Sequence, residues 1–211
     1  MIPTKERCLE LQQEYNMFFN IRKHCQTVSN VSVYLGKALA KNNFIFNLDL
    51  IEASGYLHDI TKSYHLVCEG FKLRGEEFEK WKEFNQPLVP LPYEGIISQW
   101  EEIKNDLEIT ESEGHSQTAK KLLYSLGYGN VGDVVGKHNL PLVEISEAGI
   151  LCYADRIVGF DKVVDIETRF DYVLKRYGLE LVGRLKSKTL DLEKVLLTAA
   201  DLEFKKIQRD C

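Results

Sequence analysis

No stretch of this 211-residue chain approaches the roughly 18–20 consecutive apolar residues that a membrane span needs. The opening Met1-Ile2-Pro3-Thr4-Lys5-Glu6-Arg7 lacks a secretory apolar segment, so a cytoplasmic protein is expected. Cysteine is sparse and scattered: Cys8, Cys25, Cys68, Cys152 and Cys211 are odd in number and contain no Cys-x-x-Cys pair. That argues against a disulfide framework and for reduced thiols, with Cys25 and Cys152 read as small core residues. Basic residues are outnumbered, 27 Lys and Arg against 32 Asp and Glu, for a net charge of −5. Without a basic stripe interleaved with aromatics, an extended nucleic-acid partner is not expected; a small anionic ligand needs only a few local cations. A Walker A loop, a Gly-x-Ser-x-Gly elbow, internal repeats and Gly/Ser linkers are absent, and the glycine-rich Gly127-Tyr128-Gly129-Asn130 reads as a helix-ending turn rather than a dinucleotide-binding phosphate loop.

Histidine is also scarce, at five residues, but four of them fall where hydrophobic residues recur at helical spacing. His24 shares a stripe with Ile21, Cys25, Val28, Val31, Leu35 and Leu39. His58 follows Leu50, Ala53 and Leu57 and is itself followed by Asp59. His115 leads Thr118, Ala119, Leu122 and Leu126, with Gly127 as a helix-ending residue, and His138 follows Val131, Val134 and Val135. A second aspartate, Asp155, lies among Leu151, Ala154 and Val158. One inward histidine is read most simply as a hydrogen-bonded core imidazole. Four imidazoles and two carboxylates on inward faces are different, because each unpartnered buried polar group costs roughly 1–3 kcal/mol. A metal ion satisfies all of them together, and helix bundles build metal sites this way. His65, just beyond the His-Asp pair, is read as surface or as a neighbour of the ligands, and Asp161 and Asp165 as a solvated turn.

The periodicities predict an all-α bundle in one domain, residues 1–211, with 44% hydrophobic residues to build its core. Helices are expected over Lys5–Tyr15, from Ile21 to Ala40, from Asn47 or Asp49 (with Glu52 completing a capping box) to His58, over Glu113–Leu126 and Val131–His138, from about Ser146 through Asp155, and over Ile166–Tyr177 and Leu190–Ile207. The last two carry no ligand-type cluster and are expected to complete the bundle or form a homodimer surface. The ligand-bearing core is placed at about 20–160 and the C-terminal helices at 161–211. Between His58 and His115 lies an apparent insertion, about 66–112. Its stretch 76–105 holds Trp81, Trp100 and the prolines Pro87, Pro90 and Pro92, and is read as a lid or a structural cover. No strand shows alternation.

His24, His58-Asp59 within Tyr-Leu-His-Asp-Ile-Thr-Lys, and Asp155 within Tyr-Ala-Asp-Arg-Ile-Val resemble the HD superfamily of metal-dependent phosphohydrolases. With His115 in Glu-Gly-His-Ser and His138 in Val-Gly-Lys-His-Asn, the order is similar to the dinuclear subset, which includes the HD-GYP phosphodiesterases and the bacterial diadenosine tetraphosphate hydrolases. The chain lacks the Gly-Tyr-Pro signature of the former, and its aromatic, proline-containing insertion departs from the latter. The resemblance covers roughly residues 20–160.

It implies an HD-domain helical bundle around a buried metal site. His24, His58, Asp59 and Asp155 would hold one ion, and Asp59 would bridge to a second held by His115 and His138. Such a nitrogen-rich shell suits Fe, Mn or Zn first, and Mg or Ni after them. The implied activity is hydrolysis of a phosphomonoester or phosphodiester of a nucleotide-like substrate, with a hydroxide bridging the two ions as nucleophile. Asp59 and Lys62 are the expected catalytic residues, Lys62 matching the family's His-Asp-x-x-Lys pattern. Arg156 and Lys137 join Lys62 as expected substrate-binding cations, ahead of Arg22, Lys23, Lys162 and Arg169. A di-iron oxygenase of the same superfamily and a non-catalytic nucleotide-sensing module are the competing readings.

Overall fold

Helix caps and apolar spacing set most of the element boundaries. The computed structural model describes residues 1–86, 93–110, 113–177 and 179–211, so Pro87, Pro90 and Pro92 of the expected lid or cover lie outside the described residues. Thr4 caps α1 (Lys5–Glu14) by accepting from the Arg7 backbone N–H at 3.3 Å. The long α2 (Phe19–Lys41) buries Ile21, His24, Cys25, Val28, Val31, Leu35 and Leu39, the anticipated stripe. Of the two expected starts for α3 (Leu48–Leu57), Asn47 is the cap: its Oδ1 accepts from the Leu50 N–H at 3.1 Å. The chain then turns through His58–Thr61 into α4 (Lys62–Gly70).

The region between His58 and His115 contributes α5 (Gly75–Phe84) and α6 (Tyr93–Asp106). Trp100 is fully buried against Tyr15 and Tyr64, with ring centroids at 5.8 and 5.9 Å. Helix α7 (His115–Ser125) ends in a Schellman motif: the Tyr128 N–H reaches the Leu123 carbonyl and the Gly127 N–H the Tyr124 carbonyl, with Gly127 at φ 81°.

Three features depart from the expected elements by more than a residue or two. Helix α8 (Gly129–Val135) stops short of His138. Lys137, His138 and Leu140 each donate to the residue three before, tightening the chain into a turn that carries His138. Beyond α9 (Glu147–Ile157, capped by Ser146), β1 (Val158–Gly159) and β2 (Lys162–Val163) form an antiparallel pair too short to leave an alternating pattern in the sequence. After α10 (Ile166–Tyr177), the single C-terminal helix expected at 190–207 is instead the end of α11 (Leu179–Ala200) and the start of α12 (Phe204–Asp210). Asp201, at φ 49°, separates them. Asp165 caps α10 by accepting from the Thr168 N–H at 2.7 Å.

Among the described residues the protein is all-α apart from this hairpin. Helices α2, α3, α8 and α9 pack together, and α11 covers α2 and α9. Packing of α3 on α2 depends on Gly55, where a Cβ would lie 2.4 Å from Ser29 Cα. No helix among the described residues is long and apolar enough to cross a membrane.

Candidate metal centre

Five separate pieces of the fold deliver six polar side chains to one place. His24 comes from the first third of α2 and Asp155 from the last turn of α9. His58 is the C-cap of α3 and Asp59 follows it in the turn, so both escape the helical ladder and point inward. His115 is the first residue of α7, and His138 lies in the turn after α8.

The donor atoms fall into two groups, each within 4.8 Å: His24, His58 and Asp155 in one, Asp59, His115 and His138 in the other. Asp155 Oδ1 is 2.9 Å from His24 Nε2 and 3.7 Å from His58 Nε2. Asp59 stands between the groups. Its Oδ2 is 3.6 Å from His58 Nε2, while its Oδ1 is 3.4 Å from His115 Nε2 and 3.9 Å from His138 Nε2. That arrangement places the anticipated bridging residue where it can serve both groups.

Backbone carbonyls fix the imidazoles. The Nδ1–H of His24 donates to Phe160 O at 2.9 Å, that of His58 to Gly55 O at 2.9 Å, and that of His138 to Val135 O at 2.7 Å. A carbonyl only accepts, so Nδ1 carries the hydrogen and Nε2 is turned toward the carboxylates, the arrangement of metal-binding histidines. His58 Nε2, His138 Nε2 and Asp59 Oδ1 are buried with no hydrogen-bond partner. Two orphaned imidazole nitrogens beside an orphaned oxygen of Asp59 fit a metal ion, which would satisfy all three together.

The charge states of five of the six groups agree with that fit, and His58 is the exception. Burial lowers His24, and it lowers His115 to about 3 and His138 to about 4, so all three are neutral at neutral pH, as metal ligation requires. Burial alone would raise Asp59, but Lys62, His58 and His115 hold it well below the usual carboxylate range. Asp155 is likewise held low, against its burial, by His24 and His58. Burial disfavours charge on His58, yet Cys25, Asp59 and Asp155 raise it well above the usual imidazole value. A metal ion must displace that proton, so its affinity rises with pH.

Four neighbours carry no sequence motif. Thr61 Oγ1 donates to the His115 carbonyl at 2.8 Å. Asn139 Nδ2 is 3.0 Å from His115 Nε2. The Phe160 carbonyl holds His24 from the hairpin tip. Cys25 forms a third group with His58 and Asp59, its thiol pushed up by burial. A backbone carbonyl, or a turn formed by distant packing, leaves no residue-type signal; Cys25, adjacent to His24 and read as a core residue, lies among the donors as well.

The centre opens into a cavity of about 1690 Å³. Lys62 lines it, donating from Nζ to Asp59 Oδ2 at 2.6 Å. Arg156 also lines it, but its guanidinium is buried and donates to the Leu140 carbonyl at 2.6 Å, bracing the turn after His138. Arg169 reaches the cavity from α10, whereas Lys137, Arg22, Lys23 and Lys162 do not line it. His65 lines it with its ring 6.1 Å from that of His115, beside the ligands and not on the outer surface. From the insertion, α5 supplies Trp81 and Phe84 to the cavity wall.

Comparison of the chain with protein-family models, with curated proteins and with solved structures found no match.

Proposed function

We propose that this protein is a metal-dependent phosphohydrolase of the HD type, with two divalent ions, that cleaves a phosphate ester of a nucleotide-like substrate. The observation that carries the reading is Asp59, whose two oxygens face the His58 side and the His115–His138 side respectively. A single structural ion does not need a second histidine pair beyond the first group, nor an opening onto a large cavity. His24, His58 and Asp155 would hold one ion, His115 and His138 the other, and Asp59 both. When bound, two such ions lower the pKa of water and neutralise charge on a phosphoryl group.

The chain's own residues do the rest. Burial keeps His24, His115 and His138 neutral as ligands, and Asp59 and Asp155 remain ionised. Lys62 stays charged: burial opposes its ammonium, but Asp59 and Asp155 raise it. Held at the cavity wall beside Asp59, its remaining N–H groups can donate to a phosphoryl oxygen as negative charge develops there. Arg169 adds a second cation on the same cavity.

The test is a screen of phosphomonoesters, phosphodiesters and nucleotides with protein carrying Mn, Fe or Zn. Turnover that disappears in Asp59→Asn is expected. Metal-replete protein that cleaves nothing in that panel would sink the hydrolase reading.

A further inference from the structure

Three large aromatic side chains stay half exposed although they touch one another. Phe84 ends α5, Phe160 sits at the tip of the β1–β2 hairpin, and Tyr172 lies on α10; they are 50%, 48% and 43% exposed. The Phe84 and Phe160 rings meet edge to face at 5.4 Å and 83°, and the Phe160 and Tyr172 rings at 5.1 Å and 67°. All three line the cavity that holds His24, Asp59 and Asp155.

Phe160 is the centre of this trio. Its φ of 57° lies in the left-handed region, which a bulky aromatic rarely occupies and which Asn or Gly accepts more easily. Strain of this kind persists where the surroundings enforce it, and it clusters at ligand sites. The same residue's carbonyl accepts from His24 Nδ1 at 2.9 Å, so the exposed ring is tethered to a candidate metal ligand. Arg169, one helical turn before Tyr172, lines the same cavity, as do Lys62 and Arg184. Those arginines oppose a cationic head group on the rings and favour a ligand with an anionic end and a flat, uncharged one. At about 1690 Å³ the cavity also exceeds the roughly 300–1,000 Å³ of common small-molecule sites, so a phosphoryl group alone leaves it largely unfilled.

We propose that Phe84, Phe160 and Tyr172 form a base-stacking subsite, so that the substrate is a nucleotide whose base packs on these rings while its phosphate lies toward Lys62 and Arg169. Only the phosphate end of this proposal rests on the phosphohydrolase reading.

The experiment measures binding to the metal-loaded protein by calorimetry with two non-hydrolysable phosphonates, the analogue of adenosine 5′-monophosphate and the analogue of ribose 5-phosphate, which lacks the base. Stacking on an aromatic side chain predicts that the adenosine analogue binds roughly fivefold to a hundredfold more tightly. Phe84→Ala and Tyr172→Ala should each remove most of that difference and leave the ribose analogue unchanged. Equal affinity of the wild-type protein for both analogues overturns the proposal, as does equal loss of both in the variants or failure of the adenosine analogue to bind. Preferential, ring-dependent binding with no hydrolysis of any phosphate ester would count against the hydrolase reading and leave the subsite standing. Equal kcat/KM for adenosine 5′-monophosphate and ribose 5-phosphate would sink the subsite alone.

Discussion

Lys62 Nζ lies 2.6 Å from Asp59 Oδ2, one helical turn away at the start of α4. The pair joins the carboxylate shared by both histidine groups to the most closely placed cation on the cavity wall. Asp59 is held ionised by that ammonium among other charges, and Lys62 is held protonated by the same carboxylate.

Lys62→Gln removes the cation and keeps a hydrogen-bonding side chain of similar reach. Turnover of any phosphate-ester substrate is expected to fall about 10²–10³-fold, the scale for losing one donor to developing charge. Metal content should stay at the wild-type level. Unchanged kcat in the variant would remove Lys62 from the reaction.

Gly55→Ala tests how packing sets the ligands. The new Cβ would meet Ser29 Cα at 2.4 Å, backbone against side-chain methyl, where little can yield. Overpacking of this kind costs typically 1–3 kcal/mol. Because the Gly55 carbonyl also receives the His58 Nδ1–H, metal affinity should fall together with the urea midpoint. A variant with wild-type stability and metal affinity would mean that α2 and α3 are not held at this contact.

His24 and Asp155 were legible because each sits within a long apolar stripe at helical spacing. His58-Asp59 was legible as a helix terminus because the stripe ends there. His138 was placed on a helix that in fact ends at Val135, since a run of valines does not record where the ladder tightens into a turn. The hairpin carrying Phe160 was missed for lack of length, and with it the carbonyl that orients His24. Arg156 read as a substrate cation from its place beside Asp155, but the helix turns it toward the Leu140 carbonyl, a contact set by tertiary packing alone.

Acid should destabilise the chelator-treated protein before its carboxylates titrate. Burial lowers His115 to about 3 and His138 to about 4 in the folded chain, against about 6.5 when unfolded. Between those values the unfolded state binds more protons. The stability they contribute is therefore complete above about pH 6.5 and is lost as the pH falls toward 4, at about 1.4 kcal/mol per pH unit for each histidine. His24 is shifted in the same direction. His58 is shifted upward, so its opposite effect falls above pH 6.5, outside this window. Urea midpoints that decline from about pH 6.5 to 4.5 are expected; midpoints that stay flat would contradict the burial of these rings.

Thr61→Val removes the hydroxyl that holds the His115 carbonyl while keeping the side-chain shape. Loss of a group that orients a ligand typically costs 10–100-fold in metal affinity. The loss is expected for the ion held by His115 and His138 and not for the ion held by His24, His58 and Asp155. Equal weakening of both, followed by competition with a chelator of known affinity, would show that the two groups are not separable.

Metal stoichiometry tests the two-ion account most directly. Protein purified without chelators and analysed by elemental mass spectrometry should carry about two ions per chain. His138→Ala should retain about one, because His24, His58 and Asp155 still surround the first position, whereas Asp59→Ala should lose most of both. A wild-type protein that holds no more than one ion under saturating metal, or a His138→Ala variant with the same content as wild type, would contradict the account.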